Sequence, residues 1–466
     1  MKSDNRKFKR VLRGVILAMM SIPLLMVGCY AGWHFIRNRQ AETILNDRLN
    51  AIRASGLPVD AESLKIYHEN GTDTTFSEKW MELHSMIEDE LFQQAASKLS
   101  FPSLVDEIPA PDQHWIMLED VEKFLSEQQV MLELIHEIST NNAFVRFARP
   151  YDYADMVKDV GTFPKISAMR DIGRLLKLEH EVALRRRDIE RECRAIQSIL
   201  GTAIAIHGEP MIMSRLVGFA IHGLAIECVQ KSIGAGSLKE EHCHKIMDRL
   251  SFFDDYRSLA KAAVAGERAS ALPVFMNPSQ RKNIGMLASL TSRPIDALLY
   301  LEETEKIERA IDLEFRDLIA TLTQLESDAI RRLAGLSMLV GSDSILTDMQ
   351  APMLKAFGMA VIRSELLNRL TKAALAVRLI QLRKGELPQD LKELSQIDFD
   401  SSLISVLDGG EFGYRKTDNE ATLWGYEAKT LLNLTRIEPI PNEPPSLVRE
   451  EPMGLSNDIW VWSIPP

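Results

Sequence analysis

The chain has 466 residues, 55 of them Lys or Arg and 66 Asp or Glu, for a formal net charge of −11. Residues 1–39 hold eight of the basic side chains and one acid, so the acidic remainder argues against a nucleic-acid coat or a polybasic membrane-surface domain, both of which need a basic face. At 45% hydrophobic and 26% charged residues, with four cysteines, the chain reads as globular and not as a disulfide-framed or disordered protein, long enough for two or three packed units.

Lys2, Arg6, Lys7, Lys9, Arg10 and Arg13 precede an apolar run from Gly14 to Ile36. As a helix this run would reach about 34 Å, enough to cross a hydrocarbon core of about 30 Å. Trp33 suits a membrane–water interface, and the excess of basic residues before the run over Arg37, Arg39, Arg48 and Arg53 after it leaves the N-terminus in the cytoplasm. Residues 1–13 are therefore expected to be a basic cytoplasmic N-terminus and 14–36 a transmembrane anchor in the inner (cytoplasmic) membrane. The lipid bilayer is then a partner, and the body faces the periplasm or the outside. A second reading stays open. Met26-Val27-Gly28-Cys29 resembles a bacterial lipobox in which Cys29 is acylated after cleavage, although apolar residues continue beyond it. A cleaved secretory signal is the third, and all three place the body outside the cytoplasm.

Residues 37–385 carry helical periodicity and are expected to form an α-helical body. Val121, Phe124, Leu125, Leu132, Ile135 and Ile138 predict one helix to Ser139. The same pattern runs from Ile172 to Ile204, with a break at Arg187-Asp188 where Asp188 suits an N-cap. In the apolar stretch Ile199–Val229, Glu209, Pro210 and Arg215 interrupt the run, so it reads as core helices rather than a second span. Pro210 opens a helix, Gly234-Ala235-Gly236 stops it, and Ser237 with Glu240 reads as a capping box for the next. Short connections imply antiparallel neighbours, hence stacked helical hairpins.

Strand signals gather in residues 386–466, expected to be a small C-terminal α/β hairpin segment and a proline-rich tail. Residues 412–415 and 421–426 flank a polar turn at 417–420, and Ile459-Trp460-Val461-Trp462 suits a last strand. Seven of the 20 prolines fall in residues 437–466, so that tail is expected to be extended.

Leu49-x-x-Ile52-Arg53-x-x-Gly56-x-Pro58 with Leu64 and Tyr67, then Arg170 with Leu175-Leu176, Leu216-Val217-Gly218, Gly266-Glu267-Arg268-Ala269 and Leu299-Tyr300-Leu301-Glu302 follow one another in order. With Gly385-Glu386-Leu387-Pro388, Leu391-x-x-Leu394 and Gly410-x-x-Gly413-Tyr414-Arg415, this series resembles large, N-terminally membrane-anchored helical proteins abundant in planctomycete-type bacteria. The C-terminal segment also resembles the tails of pseudopilin-like secreted proteins, but Asp408-Gly409-Gly410 stands where such tails carry the Asp-Pro of a calcium loop. The resemblance implies fold and location and no activity.

Candidate constellations are read as structural. On a helix His242 and His244 point about 200° apart and do not grip one ion, while Cys243 shares an apolar stripe with Ile246 and Leu250. Glu133/His136 and Glu241/His244 have the Glu-x-x-His spacing of di-iron bundles; both read as surface polarity. Arg185, Arg186, Arg187, Arg191 and Arg194 interleave with Glu181, Glu190 and Glu192, and Glu302, Glu303, Glu305 and Glu308 with Lys306 and Arg309, as solvated faces. Glu267-Arg268 reads as an ion pair fixing a helix end, and His207 with Glu209 as a capping or buried hydrogen-bonding pair. Asn70-Gly71-Thr72 is a glycosylation sequon. Phosphate-loop, dinucleotide, zincin, nucleophile-elbow and Cys-x-x-Cys signatures do not occur in the sequence.

The fold expected is mainly α: a transmembrane helix, stacked antiparallel hairpins and a small β-hairpin. The function expected is that of a membrane-anchored extracytoplasmic helical scaffold or interaction module with a protein partner in the envelope and no nucleic acid. No catalytic, cofactor-binding or metal-ligating residue is assigned. A metal-dependent enzyme with its site in the helical core and a secretion-system accessory protein are the alternatives.

Overall fold

The structure is a computed structural model that describes residues 35–70, 76–106, 108–141, 144–147, 150–151, 162–276, 293–335, 345–397, 399–400, 404, 411–417, 420–426 and 459–465, with Leu25, Gly28, Cys29, Gly32 and Trp33 ahead of them. Most of the expected anchor 14–36, the sequon residues Gly71 and Thr72, Asp408-Gly409-Gly410 and most of the proline-rich tail lie outside the described residues. Among those described, the fold is mainly helical with one small sheet.

Helix α1 covers residues 35–54. Its Ala41 and Leu45 are buried, and Leu45, Leu49 and Ile52, at helical steps, pack against Phe275, Tyr300 and Leu301. Burying Leu45 alone contributes about 2 kcal/mol. After a turn closed by Gly56, α2 (Ala61–Asn70) begins at Asp60, whose Oδ1 accepts from the Ser63 amide at 2.8 Å. Then come α3 (Ser77–Glu88) and α4 (Glu90–Lys98). The single helix expected to end at Ser139 is two, α5 (Leu118–Glu127) and α6 (Gln129–Ser139), because the chain breaks at Gln128. The apolar positions keep their period across the break, so periodicity alone did not mark it.

The centre is built from α7 (Thr162–Arg186), α8 (Ile189–Ile206) and α9 (Ile212–Gly234). Arg187 takes a left-handed φ of 59°, and Asp188 caps α8 by accepting from the Arg191 amide at 3.2 Å. Such a cap contributes about 1 kcal/mol. The two-residue turn sends α8 back along α7, and Leu175, Leu176, Ile196, Ile199 and Ile204 fill their seam, fully buried. Helix α9 touches both, and also α11 (Tyr256–Met276) and α14 (Ile345–Lys384). Of the described helices, α9 alone has the length and apolarity to cross a membrane, and 61% of its most apolar window is buried inside the body. It stops at Gly234, and α10 (Glu240–Ser251) starts from Lys239, not Ser237. Ser237 instead donates to Glu192 Oε1 at 2.5 Å.

Helices α12 (Arg293–Ala310) and α13 (Phe315–Gly335) pack with α14, whose 40 residues extend about 60 Å. Past Gly385 the chain forms a three-stranded antiparallel sheet of β1 (Gly413–Lys416), β2 (Ala421–Tyr426) and β3 (Ile459–Ile464), in the order β1-β2-β3. Ala421, Leu423, Trp462 and Ile464 are buried, and the sheet lies on α9 and α14. Tyr414 Oη donates to Pro388 O at 2.8 Å, and Gln381 Nε2 to Pro465 O at 2.6 Å.

Candidate functional site

The turn between α8 and α9 is the most constrained junction of the body. His207 caps α8 and is followed by Gly208, Glu209 and Pro210 before α9 opens. A methyl on Gly208 would meet the Phe144 Cβ at 2.3 Å, and one on Gly266 of α11 would meet Pro210 O at 1.7 Å. Two bare Cα atoms therefore let the 144–147 segment and α11 close on the turn from two sides. The His207 ring sits among Phe219, Phe252 and Phe253 with centroids 5.5, 6.4 and 5.6 Å away.

This closure buries charge. Glu209 is fully buried, and its Oε1 accepts from the Phe147 amide at 2.8 Å. His68 Nε2, from α2, faces the same oxygen at 3.5 Å, and His68 Nδ1 lies 2.8 Å from Tyr151 Oη. With the Nε2 proton toward the carboxylate, Nδ1 accepts from the tyrosine hydroxyl, so Tyr151, His68 and Glu209 form one polar chain. Arg215, in the first turn of α9, is buried as well, yet its Nε and Nη1 have no hydrogen-bond partner. Burial lowers its pKa to about 9 against the opposing influence of Tyr67 and Glu209. The guanidinium stays charged at neutral pH, and its surroundings under-compensate it.

Arg215 and His207 face a cleft of about 550 Å³ between α2, the 207–210 turn and α11. Leu57, Pro58, Ile66 and Leu259 give it an apolar wall, and Tyr67 and Arg53 stand with them. Both ring nitrogens of His207 lack partners, and burial pushes its pKa well below the usual histidine value, so it is a neutral imidazole. The arrangement offers a cation, a neutral donor–acceptor ring and an apolar surface: the features of a small-ligand pocket.

Of the capping or buried hydrogen-bonding role expected at His207 and Glu209, His207 caps α8 and Glu209 accepts a buried hydrogen bond, while the His207 ring nitrogens make none. Several other expectations are corrected. His136 is not surface polarity: it is buried, with Nε2 3.0 Å from Glu179 and Nδ1 2.7 Å from Ser198, while Glu133 is exposed. The arginine tract is not solvated throughout. Arg185 is partly buried and reaches the fully buried Glu181 at 2.7 Å, and Arg186 pairs with Glu122 outside. Glu303 and Arg268 are buried too. Glu303 pairs with Arg332 at 2.5 Å, and Arg268 reaches Glu308 at 2.6 Å. Arg268 sits inside α11, not at its end, and its partner is Glu308.

His242 is buried and His244 half exposed, on opposite sides of α10. Glu190, Glu241 and His242 bring three ligand-type atoms together. His242 Nδ1 accepts the Lys239 amide at 3.4 Å, which leaves the proton on Nε2, directed to Glu190 at 3.1 Å. A metal-binding imidazole needs that nitrogen's lone pair and a donor on the other side. His222 is buried at the core, 2.8 Å from Tyr256 Oη and 3.3 Å from Asn368 Oδ1. His207 and His222 share Phe253 as a ring neighbour, while the contacts of His136 and His244 are with other residues.

Tyr67, His68, Tyr151 and Arg53 were not singled out from the sequence as site residues. The signal that pointed here was the interruption of an apolar stretch by Glu209, Pro210 and Arg215, since charges inside such a run are buried when it folds. No protein-family model, curated protein or solved structure matches this chain.

Proposed function

We propose that this chain is a membrane-anchored, extracytoplasmic helical scaffold or protein-interaction module, held in the inner membrane by residues 14–36 and acting by binding rather than turnover. One observation carries the reading. Leu25 and Trp33, and Phe35 and Ile36 in the first turn of α1, are 66, 54, 62 and 59% exposed, and further along α1 Ala41 and Leu45 are buried against the body. Large apolar side chains left in water cost about 1.5–3 kcal/mol each relative to burial, so these side chains call for a cover that the described residues of the body do not supply. A lipid bilayer is the cover that suits the uninterrupted apolar sequence and its basic flank. The resemblance to anchored planctomycete-type proteins supports the same placement. The preference for binding over turnover rests on the buried ion pairs of the body, such as Glu181–Lys231 and Glu303–Arg332, which join helices to one another.

Membrane fractionation of cells producing the full chain tests the placement. The protein should resist alkaline carbonate, dissolve in detergent and be digested by protease added from the periplasmic side. Full-length protein in the soluble fraction would remove the reading. Acylation at Cys29, an exposed residue, is the lesser variant; a mature N-terminus at a lipidated Cys29 in the mass spectrum would replace the uncleaved anchor with a lipoprotein.

A further inference from the structure

We infer that the cleft at Arg215 binds a small organic carboxylate, a single anionic head on an apolar body. A buried guanidinium with two unpartnered nitrogens is costly, since each buried donor left without an acceptor forfeits about 1–3 kcal/mol and a charged one more. Glu209 does not satisfy it: among the described residues no hydrogen bond joins the two, and Glu209 Oε1 is engaged by the Phe147 amide. Arg215 and His207 are both among the residues lining the cleft, and Arg215 Nε and Nη1 and both His207 nitrogens lie buried just behind its wall without partners. These orphan groups are complementary to a carboxylate, which accepts from a guanidinium and from the imidazole N–H together.

The rest of the cleft selects the class. The Glu209 carboxylate stands near enough to act on Arg215, so it opposes a dianion such as phosphate more strongly than a monoanion. Leu57, Pro58, Ile66, Leu259 and Ala262 ask for an apolar body behind the head. Arg53, half exposed and offset by Asp60 at 3.5 Å, also lines the cleft. A free short-chain acid and the C-terminal residue of a peptide share this chemistry. The inference adds a ligand to the scaffold reading and stands on other residues: a soluble chain that binds carboxylates would remove the first and leave the second.

The test uses the full chain in lipid nanodiscs, titrated by calorimetry with hexanoate, N-acetylphenylalanine and N-acetylphenylalaninamide. Saturable binding of a carboxylate is expected, with the amide at least about tenfold weaker, the value of one charged hydrogen bond. Tighter binding of hexanoate points to a free acid, and of N-acetylphenylalanine to a chain terminus. Arg215→Met should abolish binding, and because it also takes from the buried Glu209 a cation that acts on it, its folding is checked by circular dichroism on the same sample. Ala262→Phe, which fills the cleft and keeps the cation, should abolish binding too and carries the test if Arg215→Met fails to fold. Equal binding of acid and amide, no saturable binding of either acid at millimolar concentration, or wild-type affinity in a folded Arg215→Met or Ala262→Phe chain would overturn the inference.

Discussion

The tightest contact in the body is also its most testable. A methyl on Gly266 would lie 1.7 Å from Pro210 O and 2.9 Å from the Pro210 carbonyl carbon. Ordinary contact begins near 3.4 Å, so α11 or the 207–210 turn must shift by more than an ångström, and both are backbone. Gly266→Ala gains about 1 kcal/mol of helix propensity, while overpacking at a rigid contact costs about 1–3 kcal/mol or more. The displaced turn also loosens the hydrogen bond from the Phe147 amide to the buried Glu209, a charged bond contributing about 1.5–3 kcal/mol. The net expectation is destabilisation of about 2 kcal/mol. Gly223→Ala in α9 is the matched control. A methyl there meets nothing within 4 Å, so it should stabilise by about 0.5–1 kcal/mol. Urea unfolding followed by far-ultraviolet circular dichroism, with midpoints compared at equal slope, reads both. The two changes add the same atom to the same kind of element, so the reasoning turns on their order: Gly266→Ala equal to or above wild type would show that α11 does not press on the turn.

Burial holds the pKa values of His180 and His222 down at about 3, against 6.5 for an ordinary histidine. Between these values the unfolded chain binds protons that the folded chain does not, so their contribution is fully present above about pH 6.5 and is lost as the pH falls toward 3, at up to about 1.4 kcal/mol per pH unit for each. Unfolding midpoints measured from pH 7 to 5 should fall steadily, and a flat profile would contradict the neutral, buried state of these rings. Cys193, Cys228 and Cys243 are buried, with burial pushing the Cys193 and Cys243 thiols up to about 11 and 12. Maleimide should therefore label the native protein in detergent at Cys29 alone and modify all four thiols after denaturation; rapid native labelling at a second site would refute the packing. Leu45→Asp, placing a charge in the fully buried seam of α1 against Tyr300 and Leu301, should release α1, seen as faster proteolysis near residue 50 with the circular dichroism of the remaining body retained. Unchanged proteolysis would mean that α1 is not held there.

What the sequence made legible is what short-range chemistry controls. Asp188 reads as a cap because one side chain and one amide three residues on decide it, and the structure places the break there. The hairpin of β1 and β2, and β3 at residues 459–464, follow from alternation and a polar turn. The buried ion pairs were not legible. Glu181 meets Lys231, Glu303 meets Arg332 and His136 meets Glu179, each partner supplied by another helix. Surface and interior charges have the same local pattern when the compensating group is distant in sequence. The cleft failed to show itself for the same reason: Tyr67, His207, Arg215 and Ala262 come from three helices and a turn. Only the charges breaking an apolar run hinted at it.

Helix α1 also has a mechanical meaning. From residue 35 to residue 54 it runs without a break, and its docked half is clamped by Leu45, Leu49 and the Arg48–Glu302 pair. A stalk that continues straight into its load has no swivel. Any tilt imposed at residue 35 is therefore passed along the helix to its docked half.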